Sequence, residues 1–276
     1  MDHYAVLILV GFAVGTLGTL IGAGGGFILV PLMILTFPEF SPDVITAISL
    51  AIVALNAGSG SVAYIRARRV DFKAGIIFAI CTIPGSILGV YTTRVIPRDA
   101  FDVLFGIILV GLAFFLFFKG GVKKEDKVEV KDRRFWIHQK MADKEGHVYE
   151  YSYDVRLGML LSVAVGYFSP LLGIGGGIVH VPALSELLHF PVHLATATSH
   201  FILFIMATVS VLVHLSEGAY NDPHVLKLVI GLTIGVIPGA QMGAFLSKRL
   251  KGKAIIRALA VSLGIVGLRI LFSAYL

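Results

Sequence analysis

The sequence predicts an all-α polytopic membrane protein made of two inverted repeats, each a glycine-broken re-entrant helical hairpin plus three transmembrane helices. Three observations predict it. The 276-residue chain is 57% hydrophobic and 14% charged, against about 25% charged residues in soluble domains, and its mean hydropathy is +0.88. Residues 15–31, GTLGTLIGAGGGFILVP, return as residues 166–182, GYFSPLLGIGGGIVHVP. Basic residues crowd into three short segments, and such crowding sets orientation in a membrane.

The first element, residues 4–37, is apolar and is interrupted by Gly24, Gly25 and Gly26. Three successive glycines break a helix, and in hydrocarbon the freed backbone groups are costly, so such a break needs a purpose. Apolar runs 44–65, 74–96 and 101–118 follow, each near the roughly 20 residues a bilayer requires. Residues 119–155 form a hydrophilic linker in which 133–140 and 147–153 alternate partially around Ala142–Gly146. That pattern reads as a small β-hairpin, expected to be a solvated insertion, with a docking or gating element as the alternative. The second half repeats the plan: a segment around 156–190 broken at Gly175, Gly176 and Gly177, then runs 194–215, 225–247 and 255–273. The domain plan is therefore membrane repeat 1 (1–118), a cytoplasmic linker (119–155) and membrane repeat 2 (156–276).

The duplication extends beyond the glycines. At an offset of 151, Gly15, Gly22 and Pro31 fall on Gly166, Gly173 and Pro182. Thr46-Ala47-x-Ser49 matches Thr196-Ala197-x-Ser199, and Pro84-Gly85-x-x-x-Gly89 matches Pro238-Gly239-x-x-x-Gly243. The second pair carries GxxxG, a close-packing signature of membrane helices. Gln241 has Ile87 as its counterpart and is a candidate for tuning the site asymmetrically.

Of 23 Lys and Arg residues, four lie in 66–73, ten in 119–156 and five in 248–257, which places all three segments in the cytoplasm. The loop 216–224 holds Glu217 and Asp222 but no Lys or Arg and is expected outside. Its first-half counterpart is the basic 66–73 loop, so equivalent loops face opposite sides, as in an inverted repeat. Inversion needs an odd number of crossings per half. A re-entrant hairpin of two half-helices, roughly 14 residues and about 20 Å each, supplies it. Both termini are then outside, although Arg94 and Arg98 also fall outside, against the charge rule. The alternative is eight full spans in two parallel repeats of four, which puts the basic 248–257 segment outside. The N-terminal MDHYAVLILV lacks a basic stretch, so a cleaved signal peptide is not expected.

A half-helix that starts just after the glycines presents unpaired N–H groups and a positive dipole end, which suits an anion. Substrate contacts are expected from Gly24, Gly25, Gly26, Thr46, Ser49, Gly175, Gly176, Gly177, Thr196, Ser199 and His200. The proton-coupling candidates are His180 and His200, since ionisable groups within a membrane are functional hypotheses by default. Asn56 is expected to act as helix–helix glue, and His214, near a span end, to sit at the interface. Cys81 is the single cysteine, so no intrachain disulfide forms, and a buried structural thiol is expected. The net charge of +6 follows the membrane topology and is no nucleic-acid signal. No GxxxxGK[ST], no HExxH, no cysteine metal pattern and no carboxylate pair within a span occurs. Neither an enzyme nor a metal or other cofactor is expected.

These residues resemble the sulfite exporter TauE/SafE family, also called the 4-toluene sulfonate uptake permeases. The likeness rests on Gly22-Ala23-Gly24-Gly25-Gly26-Phe27 with Pro31, the Thr-Ala-x-Ser start, the Pro-Gly-x-x-x-Gly span, and their second-half copies. It covers both membrane halves and not the linker. The resemblance implies transport of a sulfur-containing anion such as sulfite or a sulfonate. His200 stands where the first half has Leu50. The expected function is a secondary transporter in the cell membrane with a small anion substrate, the lipid bilayer as its surroundings, and a proton or sodium as coupling ion. The alternatives are a passive anion channel and a non-transporting scaffold that recruits a cytoplasmic partner through its linker.

Overall fold

The computed structural model describes residues 3–119, 135–247, 260–261, 263–265 and 267–272. Linker residues 120–134, the basic segment 248–257 and part of the last predicted span therefore lie outside the described residues. The order is α1 (Tyr4–Ile21), α2 (Gly26–Thr36), α3 (Pro42–Arg66), α4 (Phe72–Val95), α5 (Arg98–Lys119), β1 (Trp136–Ala142), β2 (Val148–Asp154), α6 (Val155–Leu172), α7 (Gly177–Pro182), α8 (Val192–Ser216) and α9 (Pro223–Leu246). The chain is an all-α polytopic membrane protein. Among the described residues, six helices (α1, α3, α4, α6, α8 and α9) are long and apolar enough to cross a bilayer.

Local sequence sets most of the helix ends. Ser41 caps α3 by accepting from Val44 N, with Pro42 at the first helical position. Asp71, Asp154 and Asp222 cap α4, α6 and α9 in the same way. At the opposite ends of α1 and α6, Gly22 and Gly173 turn left-handed, with φ of 82° and 66°. This corrects the expected hairpin limbs of equal length. The helix before the break is 18 residues in both halves and ends at Gly22 and Gly173. The second limb is 11 residues in α2. In repeat 2 it is 6 residues of α7 continued by a π-helical turn, Ala183–Leu187.

The helices pack by exchange between the halves. Helix α1 lies along α9 and α6 along α4, while α3 and α8 cross at the centre. Glycine makes these approaches possible. A Cβ on Gly235 would run into the carbonyl of Ile8, one on Gly239 into that of Phe12, and one on Gly243 into that of Thr16. Gly85 and Gly89 approach the backbone of Val163–Tyr167 in α6 as closely. The contacts also give running directions. Gly11 meets Leu232 and Gly15 meets Val236, so α1 and α9 are parallel, and by the same logic so are α4 and α6. Gly60 meets His200, Gly58 meets Phe204, and Asp43 meets His214, so α3 and α8 are antiparallel. At the end of α2, Phe37 and Phe40 stack edge-on against His224 at the start of α9, level with the start of α1. Beyond the π turn, Phe190 packs on Tyr151 and Tyr153, just before the start of α6. Cys81 is half-buried in α4 rather than enclosed.

The β-hairpin pairs Trp136–Ala142 antiparallel with Val148–Asp154, and it is docked rather than solvated. Tyr151 and Tyr153 are buried against Phe190 and Phe78. Tyr151 OH donates to Asp71 Oδ2 at 2.8 Å, and Lys144 N donates to Ala67 O at 3.0 Å. Burial and the neighbouring Asp71 carboxylate both push the Tyr151 phenol up, so it stays a donor. The Arg69 guanidinium reaches Asp143 at 3.3 Å and Glu145 at 3.2 Å. Sequence alternation carries no sign of this docking, because the partners lie in the α3–α4 loop and after α7.

Replacing Gly235 with Ala should cost about 1–3 kcal/mol by forcing α1 off α9. The melting temperature in detergent should fall, while Gly111→Ala, with nothing within 4 Å of the new Cβ, should leave it unchanged. Burial pushes the Asp143 carboxyl up, but backbone N–H groups of His147 and Glu145 and the Arg69 guanidinium outweigh burial and hold it below the usual carboxylate range. A carboxyl lowered in the folded state adds stability above its unfolded pKa of about 4, and that stability is lost as pH falls through the folded value. Protease resistance of the hairpin should therefore hold at neutral pH and fall in acid. Asp143→Asn should lower it at neutral pH.

Candidate functional site

The two glycine breaks meet at the centre of the molecule. A Cβ on Gly26 would strike the carbonyl of Gly173, and one on Gly177 would strike that of Gly22. Gly24, Gly25, Gly175 and Gly176 all have positive φ, from 52° to 87°, a region open to glycine at no steric cost. Helices α2 and α7 begin immediately after, with Gly25 and Gly176 as N-caps and no side-chain cap on either.

Each break is held by the opposite repeat. Ser49 Oγ of α3 donates to Gly173 O at 2.6 Å, and Ser199 Oγ of α8 donates to Gly22 O at 3.5 Å. The first is a strong buried bond and the second is at the limit of one. Thr46 and Thr196 lie against the same two glycines, with the Thr46 and Thr196 methyls 3.0 and 2.7 Å from where a Cβ on Gly173 and Gly22 would sit. Their hydroxyls, however, bond back to their own helices, Thr46 to Pro42 O at 2.9 Å and Thr196 to Val192 O at 2.9 Å. The structure thus brings the glycines, Ser49 and Ser199 together and places the threonines beside them through their apolar sides.

A chain of polar groups grips the first break. Asn56 Nδ2 donates to Gly24 O at 2.8 Å, and Asn56 Oδ1 accepts from Thr19 Oγ1 at 2.7 Å. His200 Nε2 lies 3.2 Å from Thr19 Oγ1, and Tyr64 OH donates to Thr19 O at 2.8 Å. Since the Thr19 hydrogen goes to Asn56, His200 Nε2 must be the donor, which leaves Nδ1 with its lone pair. That Nδ1 is buried with no hydrogen-bond partner among the described residues. Gly60 makes room for the ring, whose Cδ2 lies 2.6 Å from where a Cβ would sit. The second break has no such grip, because Pro170 and Met206 occupy the places of Thr19 and Asn56. His180 faces α6 instead, with Nε2 3.3 Å from Ser162 Oγ, and is not brought to the crossing.

Two polar residues differ from the sequence expectation. His214 is fully buried rather than interfacial, with Nδ1 3.3 Å from Asp43 Oδ1. Nothing in the sequence links these residues, which come from opposite repeats. Gln241 is exposed on the α3–α9 seam, donating to Ser59 O at 2.7 Å, and does not reach the crossing. Asp143, Glu145 and His147 bring three potential ligand atoms within 4.8 Å of one another, but Arg69 already bridges both carboxylates, so the cluster is an ion-pair network.

Residues 7–270 match the model of the sulfite exporter TauE/SafE family. The chain is 32% identical over 275 residues to the probable membrane transporter protein YunE of Bacillus subtilis, covering 98% of this chain and 97% of that protein. It is 28% identical to a probable membrane transporter protein of Methanocaldococcus jannaschii, over 95% of this chain and 93% of that one. A further probable membrane transporter protein of Bacillus subtilis, YdhB, is 26% identical over 97% of this chain and 100% of its own length. No solved structure matches.

Asn56→Ala removes two buried hydrogen bonds and should cost about 1–3 kcal/mol. Hydrogen exchange should report faster opening around Gly24, while the second break, which lacks this grip, should be unaffected.

Proposed function

The chain belongs to the sulfite exporter TauE/SafE family, and on that basis we propose that it is a secondary transporter of a small sulfur oxyanion, sulfite or an organosulfonate. The observation that carries this reading is the direct contact of the two glycine breaks, Gly26 on Gly173 and Gly177 on Gly22. It sets two uncapped helix starts, α2 and α7, on either side of one point. Backbone N–H groups there can face an anion with no intervening side chain. Ser49 and Ser199 stand ready to exchange their carbonyl bonds for the oxyanion.

The two halves act as inverted repeats, each opened by a re-entrant hairpin. The antiparallel α3 and α8 support this, as do the contacts of Phe37 and Phe190 beside the starts of α9 and α6. Rocking of one repeat against the other about α3 and α8 exposes the crossing to each face in turn. The clustering of Lys and Arg in 66–73 and 119–156 supports a cytoplasmic position for the hairpin face. Against the scaffold reading, the aromatic face of the hairpin already covers the protein's own α4 and Phe190.

Calorimetry on purified protein with sulfite, toluene sulfonate, acetate and chloride tests the proposal. Selective binding of the sulfur oxyanions is expected. Gly177→Ala should abolish it at a stability cost of about 1–3 kcal/mol, whereas Gly111→Ala should bind normally. Failure of folded wild-type protein to bind any of these anions would sink the proposal.

A further inference from the structure

We propose that Asp43 and His214 form a proton site that couples proton movement to anion transport. The inference rests on the transporter reading above and adds its driving ion. His214 is fully buried, and neither of its ring nitrogens has a hydrogen-bond partner among the described residues. Its Nδ1 lies 3.3 Å from Asp43 Oδ1, within ion-pair range but off hydrogen-bond alignment, so Asp43 Oδ1 is likewise without a hydrogen bond. A neutral ring here leaves both nitrogens unsatisfied in an apolar site. A protonated ring makes an ion pair with Asp43. Such a position has two alternative states, and the proton selects between them.

The proton has a way in. Asp43 is 22% exposed and lines a cavity of about 530 Å³ on the face where α3 begins, along with Glu39, Thr93, Arg94 and Arg98. Water in that cavity reaches the carboxylate, and the carboxylate reaches the ring. His180 and His200 are enclosed and each hydrogen-bonds through Nε2 to a hydroxyl, so they lack both the access and the acidic partner. The other charged groups at this end are mostly paired with one another. Arg94 of α4 pairs with Glu217 of the α8–α9 loop, and Arg98 pairs with Asp102 of α5. Tyr220 OH donates to Ala47 O at 2.9 Å, one turn along α3 from Asp43.

The pair is also mechanically connected to the anion site. Asp43 O accepts from Thr46 Oγ1 at 3.1 Å, and Thr46 lies against Gly173. Along α8, the helix that ends near His214 carries Ser199, which holds Gly22. The contact therefore ties together the helices that hold both breaks. An ionised Asp43 repels an anion arriving from the cavity. A hydronium ion in the cavity gives its proton by way of the Asp43 carboxylate to the His214 imidazole and leaves as neutral water; the resulting imidazolium offsets the carboxylate charge, so proton and anion enter together. The arrangement occurs once. At the equivalent places in the repeats, Tyr64 replaces His214 and His193 replaces Asp43.

The test uses full-length protein and two readouts. In detergent, the ¹⁵N resonances of the His214 ring, assigned by their loss in His214→Gln, should respond to pH, and Asp43→Asn should change that response. In proteoliposomes, an entrapped pH dye should record proton movement driven by a sulfite gradient. His214→Gln should abolish it while sulfite counterflow and the melting temperature persist. A ring that does not titrate, or proton movement in His214→Gln equal to wild type, overturns the inference. Wild-type protein that moves no sulfite instead overturns the transporter reading, and the titration then decides alone whether the proton site exists.

Discussion

Everything in this protein follows from one constraint: backbone polar groups inside hydrocarbon must be satisfied from within the protein. Six glycines place irregular backbone at the centre of a membrane-spanning bundle, and three of the carbonyls they free are claimed by side chains. Ser49 takes Gly173 O, Ser199 takes Gly22 O, and Asn56 takes Gly24 O. Two of these three bonds cross from one repeat to the other, so each break takes part of its hold from the opposite half. The halves must interlock before either site is complete.

That dependence explains the packing around the crossing. For Ser49 to reach Gly173, α3 must lie against the end of α6, and for Ser199 to reach Gly22, α8 must lie against the end of α1. The outer helices then pair across the halves, α1 with α9 and α4 with α6. Glycine faces at Gly235, Gly239 and Gly85 let backbone meet backbone. Close contact replaces the hydrophobic drive that lipid cannot provide.

The repeats are alike in frame and unlike in chemistry. The first break is gripped by Asn56, Thr19, Tyr64 and His200, whereas the second has Met206 and Pro170 at the matching places and rests mainly on Ser49. The π turn Ala183–Leu187 lies in that less tightly held half. On one face the hairpin ties Arg69 and Asp71 down, and on the other Asp43 meets His214. The α3–α8 pair thus has a polar contact near each end.

The sequence alone determined the membrane class, the family resemblance and the two glycine breaks, because hydropathy, run length and repeated glycines are local properties of the chain. Tertiary structure decided the rest. It committed the Thr46 and Thr196 hydroxyls to their own helices, set Asn56 on Gly24, left His180 facing α6, and enclosed His214 beside Asp43. It also docked a hairpin whose alternation predicts strands but names no partner. In each case the deciding contact joins residues far apart in the chain, and only the interlocking of the two halves brings them within bonding distance.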